Sequence, residues 1–76
     1  MITPTQSRMA RAALGWSLRD LAAKSKVAVA TINRFEMGHR EANQSTRALL
    51  RLSFEAAGVR FLEDGSVRPP LEVTSS

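Results

Sequence analysis

The sequence predicts a mostly α-helical fold: four short helices over residues 1–58, then a short C-terminal β-hairpin or extended tail over residues 59–76. Three observations carry this. Apolar residues recur at three- and four-residue intervals as far as Gly58, the spacing of a helix face. Capping residues and glycines divide that pattern into short pieces. Beyond Gly58 the pattern turns partly alternating around Asp64-Gly65, a hairpin signal.

Each element has its own signals. The first helix starts near Pro4, a residue suited to the first helical position. Thr3 is its cap and Gln6 the capping-box partner. Ile2, Met9, Ala10, Ala13 and Leu14 form its apolar face, Arg8 and Arg11 lie nearer the surface, and Gly15 stops it. The second helix is capped by Ser17 with Asp20 three residues on, and runs to about Ser25. Leu18, Leu21, Ala22 and Ser25 share its inner face. Its exit carries Lys26 rather than glycine.

The third helix spans about Ala28 to Met37. Val27, Ile32 and Phe35 face inward; Val29, Ala30, Asn33, Arg34 and Met37 face away. Val29, Thr31 and Ile32 are mediocre helix formers, so packing must stabilise this helix. Gly38 ends it. The fourth helix spans about Gln44 to Ala57, with Asn43 or Ser45 as cap. Its buried stripe is Leu49, Leu50, Ser53, Phe54 and Ala57, and Gly58 ends it. Trp16 is expected to plug the core edge between the first two helices.

Composition narrows the function. A chain of 76 residues is one small domain with a thin core, burying roughly 60–65% of its unfolded surface. It has no cysteine and one histidine, His39. That removes disulfides, thiolate metal sites, cysteine nucleophiles and histidine clusters. No nucleophile-elbow motif and no glycine-rich phosphate loop is present. No enzyme activity, cofactor or metal is therefore expected. The sequence has no basic-then-apolar leader and no run of ~20 apolar residues, so a cytoplasmic protein with no membrane partner is expected.

The charge is uneven. Residues 1–51 hold nine Lys/Arg against three acids, whereas residues 52–76 hold two arginines against four acids. A basic first two-thirds fits a polyanion such as nucleic acid.

Two short helices joined by a tight link, the second followed by glycine, read as a helix-turn-helix. Residues 11–40 resemble the Cro/C1-type (Xre-like) helix-turn-helix family. The matching positions are Arg11, Leu14-Gly15, Ser17, Leu21-Ala22, Val27, Thr31-Ile32, Glu36 and Gly38. The resemblance implies a double-stranded DNA partner, with the third helix in the major groove. Val29, Ala30, Asn33 and Arg34 would then read bases: Arg34 at guanine, or else at a phosphate, Asn33 at adenine, and the two small apolar residues at thymine methyls. Ser17, Leu18, Lys26, Ala28, Thr31, His39, Arg40 and Arg47 would form a phosphate-facing rim. At Leu18, where the family usually carries glutamine, only the backbone amide would serve. Arg11 and Glu36 would form a structural ion pair.

The resemblance has departures. Lys26 replaces the usual turn glycine, Ala28 replaces the usual Ser/Thr cap, and Met37 stands where a polar residue is common.

The tail is too apolar to pack on nothing. Val59, Phe61, Leu62, Val67 and Leu71 are expected either in a homodimer contact or folded back on the fourth helix. The leading function is a sequence-specific transcriptional regulator acting as a homodimer. The alternatives are an antitoxin or anti-activator module with a protein partner, and an architectural or excision-type DNA-binding factor.

Overall fold

The computed structural model describes residues 1–39 and 43–70. Its elements are α1 (Pro4–Leu14), α2 (Leu18–Ser25), α3 (Val29–Glu36), α4 (Gln44–Ala56), β1 (Arg60–Phe61) and β2 (Val67–Arg68).

Local chemistry fixes most of the helix ends. Thr3 and Gln6 form a reciprocal capping box at α1, and Ser17 and Asp20 form another at α2. At α4 the Asn43 side chain accepts from the Thr46 amide, which decides between the two expected caps. Helix α3 alone among the described helices starts with no side-chain cap bond, at Ala28.

The link from α2 to α3 turns at Lys26, which sits at φ 65° in the left-handed region. A non-glycine residue there carries a cost of roughly 1–2 kcal/mol. The departure from glycine thus leaves the turn's conformation intact and adds strain to it. The Lys26 amide still closes α2 by donating to the Ala22 carbonyl.

One core unites all the elements. It contains Ile2, Ala10, Leu21, Val27, Ile32, Phe35, Leu50, Phe54 and Val59. Phe54 is fully buried at its centre. Trp16 stacks on it at 5.8 Å between ring centroids, and Phe61 meets it edge-on at 6.1 Å. Trp16 is half-buried, as a plug at the core edge should be, with the Lys24 ammonium over its outer side.

Three positions expected on inward faces are exposed: Met9 and Ala13 on α1, and Leu49 on α4 at 45%. Ser53 and Ala57, in the expected α4 stripe, are half-buried. Ser7 takes the inward place on α1 instead. An apolar count cannot tell which of two adjacent stripes faces inward when Leu49 and Leu50 are neighbours.

Strands β1 and β2 pair antiparallel, with Arg60 opposite Arg68 and Phe61 opposite Val67. The connecting loop is Glu63–Gly65, one residue longer than the two-residue turn that Asp64-Gly65 predicts. The Gly65 amide donates to the Leu62 carbonyl, and the Leu62 amide donates to the Ser66 carbonyl. Gly65 at φ 89° supplies the left-handed position that such a three-residue loop requires. The Asp64 carboxylate accepts from both the amide and the hydroxyl of Ser66, which holds its pKa below the usual aspartate value.

The hairpin packs on its own chain. Val59 is 1% exposed, Phe61 and Val67 lie against the core, and the Gln6 side-chain amide donates to the Gly65 carbonyl. A β-carbon at Gly58 would come within 3.0 Å of Pro70, so the returning strand closes tightly over the end of α4. Val59 is therefore a core residue, and Phe61 and Val67 are half-buried against that core, as the folded-back alternative expects. Leu62 is half-buried, and Leu71 lies outside the described residues.

Candidate nucleic-acid interface

Helix α3 is gripped by α1 at its C-terminal end. Glu36, at the last turn of α3, is 3% exposed. Its carboxylate accepts from Arg11 at both oxygens, from Nε at 2.9 and 3.1 Å and from Nη2 at 2.6 Å. The Ser7 hydroxyl also donates to it at 2.6 Å. Arg11 also donates to the Trp16 carbonyl at 3.2 Å, and Arg8 donates to the Glu36 carbonyl.

A buried carboxylate is tolerable only when paired and hydrogen-bonded in this way. The bond to Glu36 raises the Arg11 pKa further, against partial desolvation, so the guanidinium stays charged. Three α1 side chains, one helical turn or less apart, thus fix the end of α3.

Sequence reasoning placed Arg11 with Glu36 but missed Ser7 and Arg8 as partners. A signal for Ser7 was present. It stands four residues before Arg11, hence on the same helix face.

The outward face of α3 carries Val29, Ala30, Asn33 and Arg34, all exposed, with Val29 at 39%. Met37 follows at 64% exposure. Ala28 precedes the helix and is exposed, and Thr31 is half-buried on its first turn. These side chains form one continuous surface of small apolar residues, an amide and a guanidinium. That set can contact thymine methyls, adenine and guanine respectively.

The expected rim is placed less uniformly. Lys26 and His39 are exposed on either side of α3, and Arg40 lies outside the described residues. Arg47 is turned inward: its guanidinium lies 5.9 Å from the centre of the Phe35 ring and its Nε is buried.

The start of α2 forms the capping box that the sequence predicts. The Ser17 amide donates to the Asp20 carboxylate at 2.9 Å, and the Ser17 hydroxyl accepts from the Asp20 amide at 3.0 Å. Ser17 is thus committed to the cap, and the Asp20 carboxylate stands in the first turn. These bonds, the backbone one first, hold the Asp20 pKa below its ordinary 3.8. The Leu18 side chain packs on the core. Arg19, exposed on the same first turn, is a cation that the sequence reading left out.

Among the described residues, no group of three or more His, Cys, Asp or Glu could hold a metal ion. No helix of the described residues is long and apolar enough to cross a membrane.

A tight α2–α3 pair held by α1 and α4, with an exposed polar and small-apolar face on α3, defines the class. This is a DNA-binding helix-turn-helix protein. A family model described as helix-turn-helix matches residues 8–52, well over half of the chain. The chain belongs to this Cro/C1-type helix-turn-helix family. No curated protein matches it.

Proposed function

We propose that this protein is a sequence-specific transcriptional regulator that reads double-stranded DNA in the cytoplasm with α3, two copies occupying one operator. The observation that carries this reading is the exposed face Val29, Ala30, Asn33 and Arg34 on a helix whose far end is fixed by buried Glu36. A reading helix must hold its orientation while its side chains meet base edges. The Ser7–Arg11–Glu36 cluster supplies that rigidity.

In this reading Arg34 donates two bonds to a guanine and Asn33 pairs with an adenine, while Val29 and Ala30 admit thymine methyls. Lys26 and Arg19 neutralise phosphates beside them, each adding about 0.9 to the salt slope, and His39 contacts the backbone by hydrogen bonding.

The test is fluorescence anisotropy on DNA from upstream of the protein's own gene, against a scrambled duplex, over a salt series. Arg34→Ala should weaken binding to the native duplex by roughly 5–150-fold, the loss of about 1–3 kcal/mol of base discrimination. The salt slope should stay nearly constant. A slope reduced by about one unit, with equal losses on both duplexes, would make Arg34 a phosphate contact. Equal wild-type affinity for the two duplexes would overturn sequence-specific reading.

A further inference from the structure

The outer face of the hairpin carries two arginines that the rest of the fold does not use. The register sets Arg60 directly opposite Arg68, so both side chains leave the same face, with β-carbons about 5 Å apart. Both are exposed. Like charges so placed weaken the strand pair. Among the described residues, no acid forms an ion pair with either arginine. Glu55 is paired with Arg51 at 2.8 Å, and the Asp64 carboxylate is held by Ser66.

Apolar residues flank the pair. The same register sets Leu62 opposite Ser66, whose carbonyl accepts from the Leu62 amide. On the other side Pro70 lies beside Gly58, 3.0 Å from where a β-carbon would stand. Leu62 and Pro70 are half-buried and sit one rung to either side of the arginines, about 7 Å away. The face thus reads apolar, doubly cationic, apolar.

We propose that this face binds a short extended segment of a partner protein. A carboxylate of that segment seats between the two guanidiniums, with an apolar side chain two residues to each side of it. Charge selects this occupant over a nucleic-acid strand. Residues 52–70 hold three exposed acids, Glu55, Glu63 and Asp64, against the two arginines. A duplex carries one charge per about 1.7 Å and would lay phosphates against those acids. A single carboxylate meets only the arginines, and each can give it a charge-assisted bond. The spacing agrees, because every second side chain of an extended segment faces one way. This surface does not involve α3 and does not rest on the proposed DNA reading.

The probe is a peptide with blocked ends, valine-threonine-glutamate-threonine-valine, titrated into the isotope-labelled full chain and followed by NMR. The Nε–H signals of Arg60 and Arg68 should shift together and saturate at millimolar peptide, while that of Arg34 stays in place. The counterpart with glutamine for glutamate should not saturate. Arg60→Gln and Arg68→Gln should each weaken binding roughly tenfold or more. Neither should lower the urea midpoint, since each removes the cross-strand repulsion. Lost binding is then no folding defect.

Arginine signals that the glutamate peptide leaves unmoved overturn the proposal. An equal response to the glutamine peptide removes the carboxylate from it, and an equal response to inorganic phosphate removes the segment; either result overturns it. The variant with both changes is also tested on a random-sequence duplex. A salt slope lower by about two units there would make the pair a phosphate contact and end the proposal. Variants that bind the peptide like wild type but self-associate would make the arginines guards of an open sheet edge, which overturns it as well.

Discussion

Helices α2 and α3 have eight residues each and adjoin in one motif, yet they are secured by opposite means. Helix α2 is built locally. Ser17 and Asp20 satisfy each other's amides at its start, and Asp20 places an acid where the helix dipole favours one. Helix α3 has neither a side-chain cap nor an acid in its first turn. It is built by tertiary contact instead, through buried Ile32, Phe35 and Glu36. The difference teaches that a helix without a cap can be held from its far end, here where α1 grips Glu36. If α3 reads DNA as proposed, the absence of a capping carboxylate also spares it a charge that would oppose phosphates.

Breaking that grip should have the largest effect. Arg11→Ala leaves the Glu36 carboxylate buried with only Ser7 as a side-chain donor, at a cost of about 3–5 kcal/mol. That is most of the stability of a small domain. Urea denaturation reads it, and a loss under about 1 kcal/mol would mean that apolar contacts alone hold α3.

Removing the local device from α2 should cost less. Ser17→Ala is expected to lose about 1 kcal/mol, visible as a lower urea midpoint with unchanged slope. Installing the missing device on α3 tests the comparison from the other side. Ala28→Ser supplies a cap, and the expected gain is up to about 1 kcal/mol. No gain would show that the first turn of α3 is not limited by its open amides.

Acid should give the smallest effect. The Asp20 carboxylate is held below its ordinary 3.8 in the folded chain. Its contribution is therefore fully present above that value and is lost as pH falls through the lower, folded one. The stability difference between wild type and Asp20→Asn should be flat near neutrality and shrink only in acid below about pH 4.

Most of the helical frame was legible because it is written in local chemistry. Thr3-Pro4 with Gln6, and Ser17 with Asp20, mark helix starts through bonds within three residues. The inward face of α3 followed from the spacing of Val27, Ile32 and Phe35. What was not legible depends on distant partners. Ser7 gains its meaning from Glu36, 29 residues away, and Arg47 is drawn inward by a ring on another helix. The orientation of α4 could not be read at Leu49-Leu50, because either leucine satisfies the helical period. The hairpin's signal was local, but its docking on α1 was not.

That docking ties the order of synthesis to the order of assembly. Gln6 near the start of α1 bonds to the Gly65 carbonyl, a separation of 59 residues, and Val59 fills the core beneath the four helices. On the ribosome, α1 emerges first but meets the hairpin last. The nascent helices can form and collapse early, yet the core stays open on one side until the chain through Val67 has left the exit tunnel. Closing so long a loop is an entropic cost met late in folding. A message cut short before the hairpin would yield four helices with an unsealed core, a form that proteases recognise.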